Sequence, residues 1–422
     1  MLIAARRVMV SRSRTIEPLE CATALVHGAR LIVNHPALRS LSIFLAACLF
    51  IGCGRAPDRA DFVFLNGAEP ESIDPAAITG QPDGRVAYAL LEGLTSFSAA
   101  AKPQPGVAER WDISPDGRVY TFHLRRNAKW SNGDIVTARD FVASWRRTLL
   151  PETASEYGYQ LHYIRNAKNF SEGKLTDFNE VGVRALDDFT LQVSLDNPTP
   201  FFLDLCCFVT LLPVHVPTIE RCDREGKSWI KPENFVGNGA FTLKEWRLFD
   251  RIRVVRSETY WNRDSIGMKS IDILPSGRPM TAFNFYATGL ADLMMDKGLA
   301  PTPLMNELKQ RPDFHAAPFL GNYFVRFNTK RATFADPRVR LAFSLVVDKQ
   351  VIVDKITRAG EVPAFSFVPP GTAGYEPPPG MTRDPERARR LLAEAGYPGG
   401  QGFPVVYYLF KGDSDLDRDI AV

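Results

Sequence analysis

Apolar and polar positions alternate most cleanly where Tyr120, Phe122 and Leu124 are separated by Thr121, His123 and Arg125. A period of two predicts a half-buried strand. Just before it, Pro115-Asp116-Gly117 predicts a turn, because proline presets φ and glycine tolerates a positive one. Asn132-Gly133-Asp134 predicts a second turn. Thr137 followed by Asp140 then has the capping-box spacing that opens a helix through Phe141, Val142 and Trp145. Alternation returns at Phe189, Leu191, Val193 and Leu195. Asp336-Pro337 and Asp384-Pro385 each place an acceptor ahead of a proline at the first helical position, and Gly396 is placed to end the second of these helices. A further helix is expected to start near Leu416. Strands and helices mix without a repeat or a Pro/Gly/Ser-rich linker. That predicts an α/β (mixed α+β) body of interleaved parts with several chain crossovers.

The first part of the chain reads differently. Leu41 to Ile51 (LSIFLAACLFI) is an apolar run of signal-peptide length, short for a membrane span, with Arg39 ahead of it. Gly52 then stands directly before Cys53, the arrangement of a lipoprotein signal. Residues 1–52 are therefore expected to be a leader, with cleavage before Cys53 and a diacylglyceryl group on its thiol. Phe50 stands where leucine is usual in that box, and an ordinary signal or a signal anchor with an incidental cysteine is the competing reading. The stretch from Met1 to about Val33 is long for the start of a leader, which an overextended start explains.

Composition narrows the classes. A chain of 422 residues with 45% hydrophobic content supports more than one core, and a formal net charge of +3 does not suggest a nucleic-acid binder. The basic clusters at Arg125-Arg126 and at Trp145-Arg146-Arg147 read as solvated faces. Aromatic content of 11%, with 28 Phe, suits deep apolar packing and a large cavity without proving either. Of six cysteines, Cys206, Cys207 and Cys222 lie in the body. Cys222 could pair with one of the other two, or all three could be buried thiols. No G-x-S-x-G, Walker-type, H-E-x-x-H or C-x-x-C motif is present, and the histidines show no metal-ligand spacing. Asp413, Asp415, Asp417 and Asp419 imitate the start of an EF-hand loop, but Arg418 replaces the required glycine. No enzyme, metal site or cofactor is expected.

Function enters through longer motifs. PGVAERW (Pro105 to Trp111), YTFHLR (Tyr120 to Leu124 and Arg125), AKWSNGD (Ala128 to Asp134) and TARDF (Thr137 to Phe141) follow one another. EPESIDP starts at Glu69, EGL at Glu92, VGNGAFTLKEW at Val236 and YWN at Tyr260. FADPRVRLA starts at Phe334 and LLAEAGY at Leu391. In this order they resemble the oligopeptide- and dipeptide-binding solute-binding proteins of ABC importers, extracellular solute-binding family 5. The similarity runs from about Phe62 to the last residue.

The resemblance implies a periplasmic-binding-protein type II clamshell of two lobes with an extra subdomain in the first. The first lobe's core would take 61–91 and 216–319, the inserted subdomain 92–215, and the second lobe 320–422. It also implies ligand contacts. The loop from Asp74 to Gln81 would pair its backbone with a peptide at Thr79, Gly80 and Gln81, a mode indifferent to ligand sequence. Thr79 stands where some relatives carry glutamate. Tyr157 matches an aromatic that packs near the peptide, although a half-buried surface tyrosine fits the position too. Met295 stands where relatives carry a ligand-facing tyrosine, and its thioether suits varied side chains. Family chains continue past Val422, and the carboxylate that meets the peptide's α-amino group lies in that continuation. The second lobe is thus expected to be incomplete, and this chain alone to bind peptides negligibly. The implied partners are an oligopeptide, an ABC permease with its ATPase, and a membrane through the lipid, with the protein a monomer on the outer side of the membrane. A degenerate relative that acts only as a protein-interacting lipoprotein is the second reading.

Overall fold

The strand expected at Tyr120, Phe122 and Leu124 spans Val119–Leu124, and those three side chains are buried while their neighbours are not. The computed structural model describes residues 2–11, 59–369, 371–372, 374–410 and 415–422. Cys53 and Asp413 lie outside the described residues.

In chain order the strands are β1 (Leu2–Ser11), β2 (Phe62–Gly67), β3 (Thr95–Phe97), β4 (Pro103–Pro105), β5 (Ala108–Ile113), β6 (Val119–Leu124) and β7 (Val183–Asp187). They continue with β8 (Thr190–Ser194), β9 (Phe241–Arg247), β10 (Arg251–Arg256), β11 (Ser270–Pro275), β12 (Leu293–Met294), β13 (Phe314–Phe324) and β14 (Val362–Ala364). The large sheet has the order β13-β1-β12-β2-β11-β10-β9, with β14 added to β1. Its centre is parallel: β2 pairs with β11 on one side and with β12 on the other. A second sheet, β5-β6-β8-β7, is antiparallel throughout and lies within 108–194.

One apolar core joins the two sheets. It runs from Phe64, Val86 and Leu90 through Phe122 and Leu191 to Phe141 and Trp145. The helix Ala138–Leu149 carries the last two, and the Asp140 carboxylate accepts from the Thr137 N–H at 2.7 Å and its hydroxyl at 3.0 Å. Helices Pro337–Val346 and Pro385–Glu394 start at Asp336 and Asp384, whose side chains accept from the Arg338 and Arg387 N–H groups. They pack together through Ala342, Leu345 and Ala388. Cys206, Cys207 and Cys222 are buried free thiols, which closes the open disulfide reading.

One feature was not foreseen, and a second bears on the part of the chain expected to form an incomplete lobe. Strand β1 lies inside the segment expected to be a leader, yet it pairs with β12, β13 and β14. Between Val325 and Val422 the described residues hold a single strand, β14, which joins the large sheet through β1. The apolar stretch 403–410 makes no ladder at all.

Candidate functional site

The parallel strands β2, β11 and β12 end side by side at Gly67, Pro275 and Met294. Ligands of open α/β sheets bind at such carboxyl ends. Here the segment that follows β2, residues 68–80, is held by side chains along its whole length. Glu69 accepts from Trp246 Nε1 at 2.7 Å and from the Phe249 N–H at 3.1 Å. Asp83 accepts from the N–H groups of Glu71 and Ser72 at 2.6 and 3.1 Å. Ile73, Ala76 and Ile78 are buried in the core. Arg85 ties the end of β2 to the end of β12, donating to Asn66 Oδ1 at 2.7 Å and to Asp296 Oδ2 at 3.3 Å.

Asp74 organises the tip of the segment. Its carbonyl accepts from the Ala77 and Ile78 N–H groups, and its carboxylate from the Ala76 N–H. The carboxylate also receives both guanidinium nitrogens of Arg147, at 2.9 and 2.6 Å. A bidentate pair fixes both distance and plane.

The residues predicted to meet a ligand fall into three places. Thr79, exposed, and Gly80, half-buried, form a turn that runs into the helix Gln81–Leu90, whose first residue, Gln81, is exposed. Among the described residues the N–H groups of Thr79 and Gly80 make no hydrogen bond, so a strand has free groups to pair with. A Cβ on Gly80 would stand 2.4 Å from Asp83 Oδ2, which accounts for glycine there. Met295, half-buried, follows β12 directly, one strand away from that turn. Tyr157 lies just before the turn Gly158–Leu161, its half-buried ring edge-on to Phe208 at 5.6 Å. Arg147 is one link between the two places: its guanidinium holds Asp74, and its carbonyl accepts from the Thr153 hydroxyl at 2.6 Å, four residues ahead of Tyr157. Arg147 itself is half-buried and paired, which corrects its reading as part of a solvated basic face. Its partner lies 73 positions away, beyond any local signal.

A cavity of about 370 Å3 lies elsewhere, lined by Tyr88, Leu91, Glu92, Cys207 and Tyr260 among others, and none of the predicted residues lines it. Burial raises the Glu92 carboxyl above its ordinary value and pushes the Tyr88 hydroxyl up to about 12 and the Cys207 thiol to about 11. Glu92 is fully engaged: Tyr260 donates to one oxygen at 2.7 Å and Trp261 Nε1 to the other at 2.6 Å. Asn238 meanwhile exchanges two hydrogen bonds with the Glu92 backbone. Gly237 and Gly239 press against the Leu90 backbone so closely that a Cβ would sit 2.2 and 2.5 Å from it. Three of the sequence motifs therefore meet at one joint.

The description "Bacterial extracellular solute-binding proteins, family 5 Middle" matches residues 102–422. The chain belongs to this solute-binding family. The periplasmic oligopeptide-binding protein OppA of Escherichia coli K12 is 38% identical over 396 residues, covering 92% of this chain and 71% of its own length. The periplasmic murein peptide-binding protein MppA of the same organism is 36% identical over 363 residues, 84% of this chain and 66% of its own length. Among solved structures, that murein tripeptide binding protein superposes with a TM-score of 0.75 at 35% identity, covering 81% of this chain and 67% of its own. Haemophilus influenzae OppA in complex with RPPGFSPFR gives 0.73 at 36% identity, covering 80% and 68%. The fold of this family 5 solute-binding protein is accordingly the type II clamshell, and the family is one of binding proteins, not enzymes. Among the described residues no group of histidine, cysteine and acidic side chains could hold a metal ion, and no helix is long and apolar enough to cross a membrane.

Proposed function

We propose that this protein captures oligopeptides for an ABC importer by adding them as a strand to the Thr79–Gln81 turn. The observation that carries the reading is that turn: open at Thr79, with unpaired N–H groups at Thr79 and Gly80, and preceded by a segment that Asp74 fixes through Ala76 to Ile78. A peptide's main chain supplies the matching donors and acceptors whatever its sequence. Tyr157 and Met295 offer adaptable apolar contacts on either side, and closure of the lobes would retain the ligand by population shift. Delivery to a permease and its ATPase follows from the same role.

Isothermal titration with a mixed tri- to pentapeptide pool tests it. We expect micromolar binding once the chain is joined to the C-terminal portion of a longer relative, and a roughly threefold to tenfold loss on Tyr157→Ala, about 1 kcal/mol. An extended chain that gives no heat with any peptide overturns the proposal.

The location we propose is the outer face of the membrane, through acylation of Cys53. Strand β1 speaks against a cleaved leader, because cleavage before Cys53 removes it from the sheet. The mass of the exported protein decides. A lipidated chain beginning at Cys53, lost from membranes on Cys53→Ala, supports the anchor. A chain that keeps Leu2–Ser11 overturns it.

A further inference from the structure

We infer that Arg147 is the positioning residue of the site, setting the spacing between the Thr79–Gln81 turn and Tyr157. The inference rests on the peptide-pairing reading above and adds a residue that touches no ligand. Two contacts of its side chain and one of its backbone carbonyl carry it. Toward the large sheet, the guanidinium grips the Asp74 carboxylate through both terminal nitrogens, and that carboxylate also holds the Ala76 N–H. Toward the subdomain, the Arg147 carbonyl holds the Thr153 hydroxyl, four residues ahead of Tyr157. The face of the Trp229 ring lies 5.9 Å from the guanidinium carbon and limits its swing.

The pair is well placed to act as a spacer. The side chains of Asp74 and Arg147 are 12% and 24% exposed, so water screens the contact only partly. A planar fork on a carboxylate fixes orientation as well as distance, which an ammonium does not do. The two halves of the proposed site lie on separate loops, one after β2 and one after the helix Ala138–Leu149, and a strand-shaped ligand spans them in fixed register. A change in their separation therefore alters which ligand side chain reaches Tyr157, while the core beneath stays as it is.

The test uses two measurements. Hydrogen exchange on the full chain compares wild type with Arg147→Met, Arg147→Lys and Asp74→Asn. We expect the amides of Ala76, Ala77 and Ile78 to exchange at least tenfold faster in Arg147→Met and Asp74→Asn, with a smaller change in Arg147→Lys. Amides of the Val119–Leu124 strand should not change. A uniform rise across the protein, or none at Ala76 to Ile78, overturns the role. The second measurement is a double-mutant cycle on peptide affinity in the extended chain. Tyr157→Ala should weaken binding by the same roughly threefold to tenfold alone and less than twofold in the Arg147→Met background, and Thr153→Val should likewise erase most of the Tyr157 effect. Equal factors in all backgrounds overturn the proposal. If no variant and no wild type binds peptide, the peptide-pairing reading has failed, and the exchange pattern still decides whether Arg147 sets the turn.

Discussion

Asp313 shows how one side chain ties stability to pH. Its carboxylate takes two hydrogen bonds from Arg311, at 2.8 and 2.7 Å, and one from the buried Tyr286 hydroxyl at 2.6 Å. The Arg311 bonds are the main reason its carboxyl falls to about 2, with Tyr286 adding to them. A carboxyl depressed in the folded state adds stability above its unfolded value, close to 4, and loses it as pH falls toward 2. We therefore expect Asp313→Asn to lower the melting temperature at neutral pH, and the gap from wild type to close between pH 4 and 2. A gap that persists unchanged at pH 2 contradicts this assignment. Gly80 makes a second, steric case: Gly80→Ala forces its Cβ onto the Asp83 carboxylate that holds Glu71 and Ser72. Peptide affinity should fall more than the melting temperature, since Gly80 itself is half-buried and outside the core.

The helix Ala138–Leu149 carries function at one end and stability at the other. At its start Asp140 takes the N–H and hydroxyl of Thr137, and burial raises the Asp140 carboxyl despite these bonds. Thr137→Ala removes only the hydroxyl and should cost about 0.5–2 kcal/mol in a denaturant melt. Asp140→Ala strands the Thr137 N–H as well and should cost more, about 1–3 kcal/mol for that group. The reverse ranking would show that the cap is not held by Asp140. This start was legible in the sequence because it lies within four residues. So were the strands at Tyr120 and Leu191, whose alternation survives in their burial. The other end was not. Arg147 finds Asp74 across 73 positions, and Asn238 finds Glu92 across 146. Such contacts are decided by the path of the chain between sheets, which no local period records. Motif resemblance pointed to the turn at Gly80 and to Tyr157, yet was silent on the residue that joins them.

Across the whole molecule, the segment 403–410 departs furthest from ordinary packing. Val405, Tyr407 and Leu409 are 83%, 85% and 90% exposed, and Val406, Tyr408 and Phe410 are themselves only partly covered. The segment has strand-like alternation and β-branched and aromatic residues, but pairs with no strand among the described residues. Its tethers are the Phe403 ring, packed on Tyr397 and Phe343, and the Tyr408 hydroxyl, 3.0 Å from that of Tyr323 on β13. Unpaired backbone beside exposed apolar side chains recruits another strand, from whatever chain is at hand. Charges on such a face oppose this, because each lysine must be desolvated before a second strand can pack. We therefore predict that Val405→Lys with Leu409→Lys lowers self-association of the full chain, read as a shift to smaller species by light scattering. The melting temperature should hold, since neither side chain contributes to the core. Joining the C-terminal portion of a longer relative should act in the same direction by covering the face, and should sharpen the melt. If the lysine variant aggregates as readily as the parent, the sticky surface lies elsewhere. A sharp cooperative melt of the unaltered chain at low light scattering would show that this exposed face is tolerated as it stands.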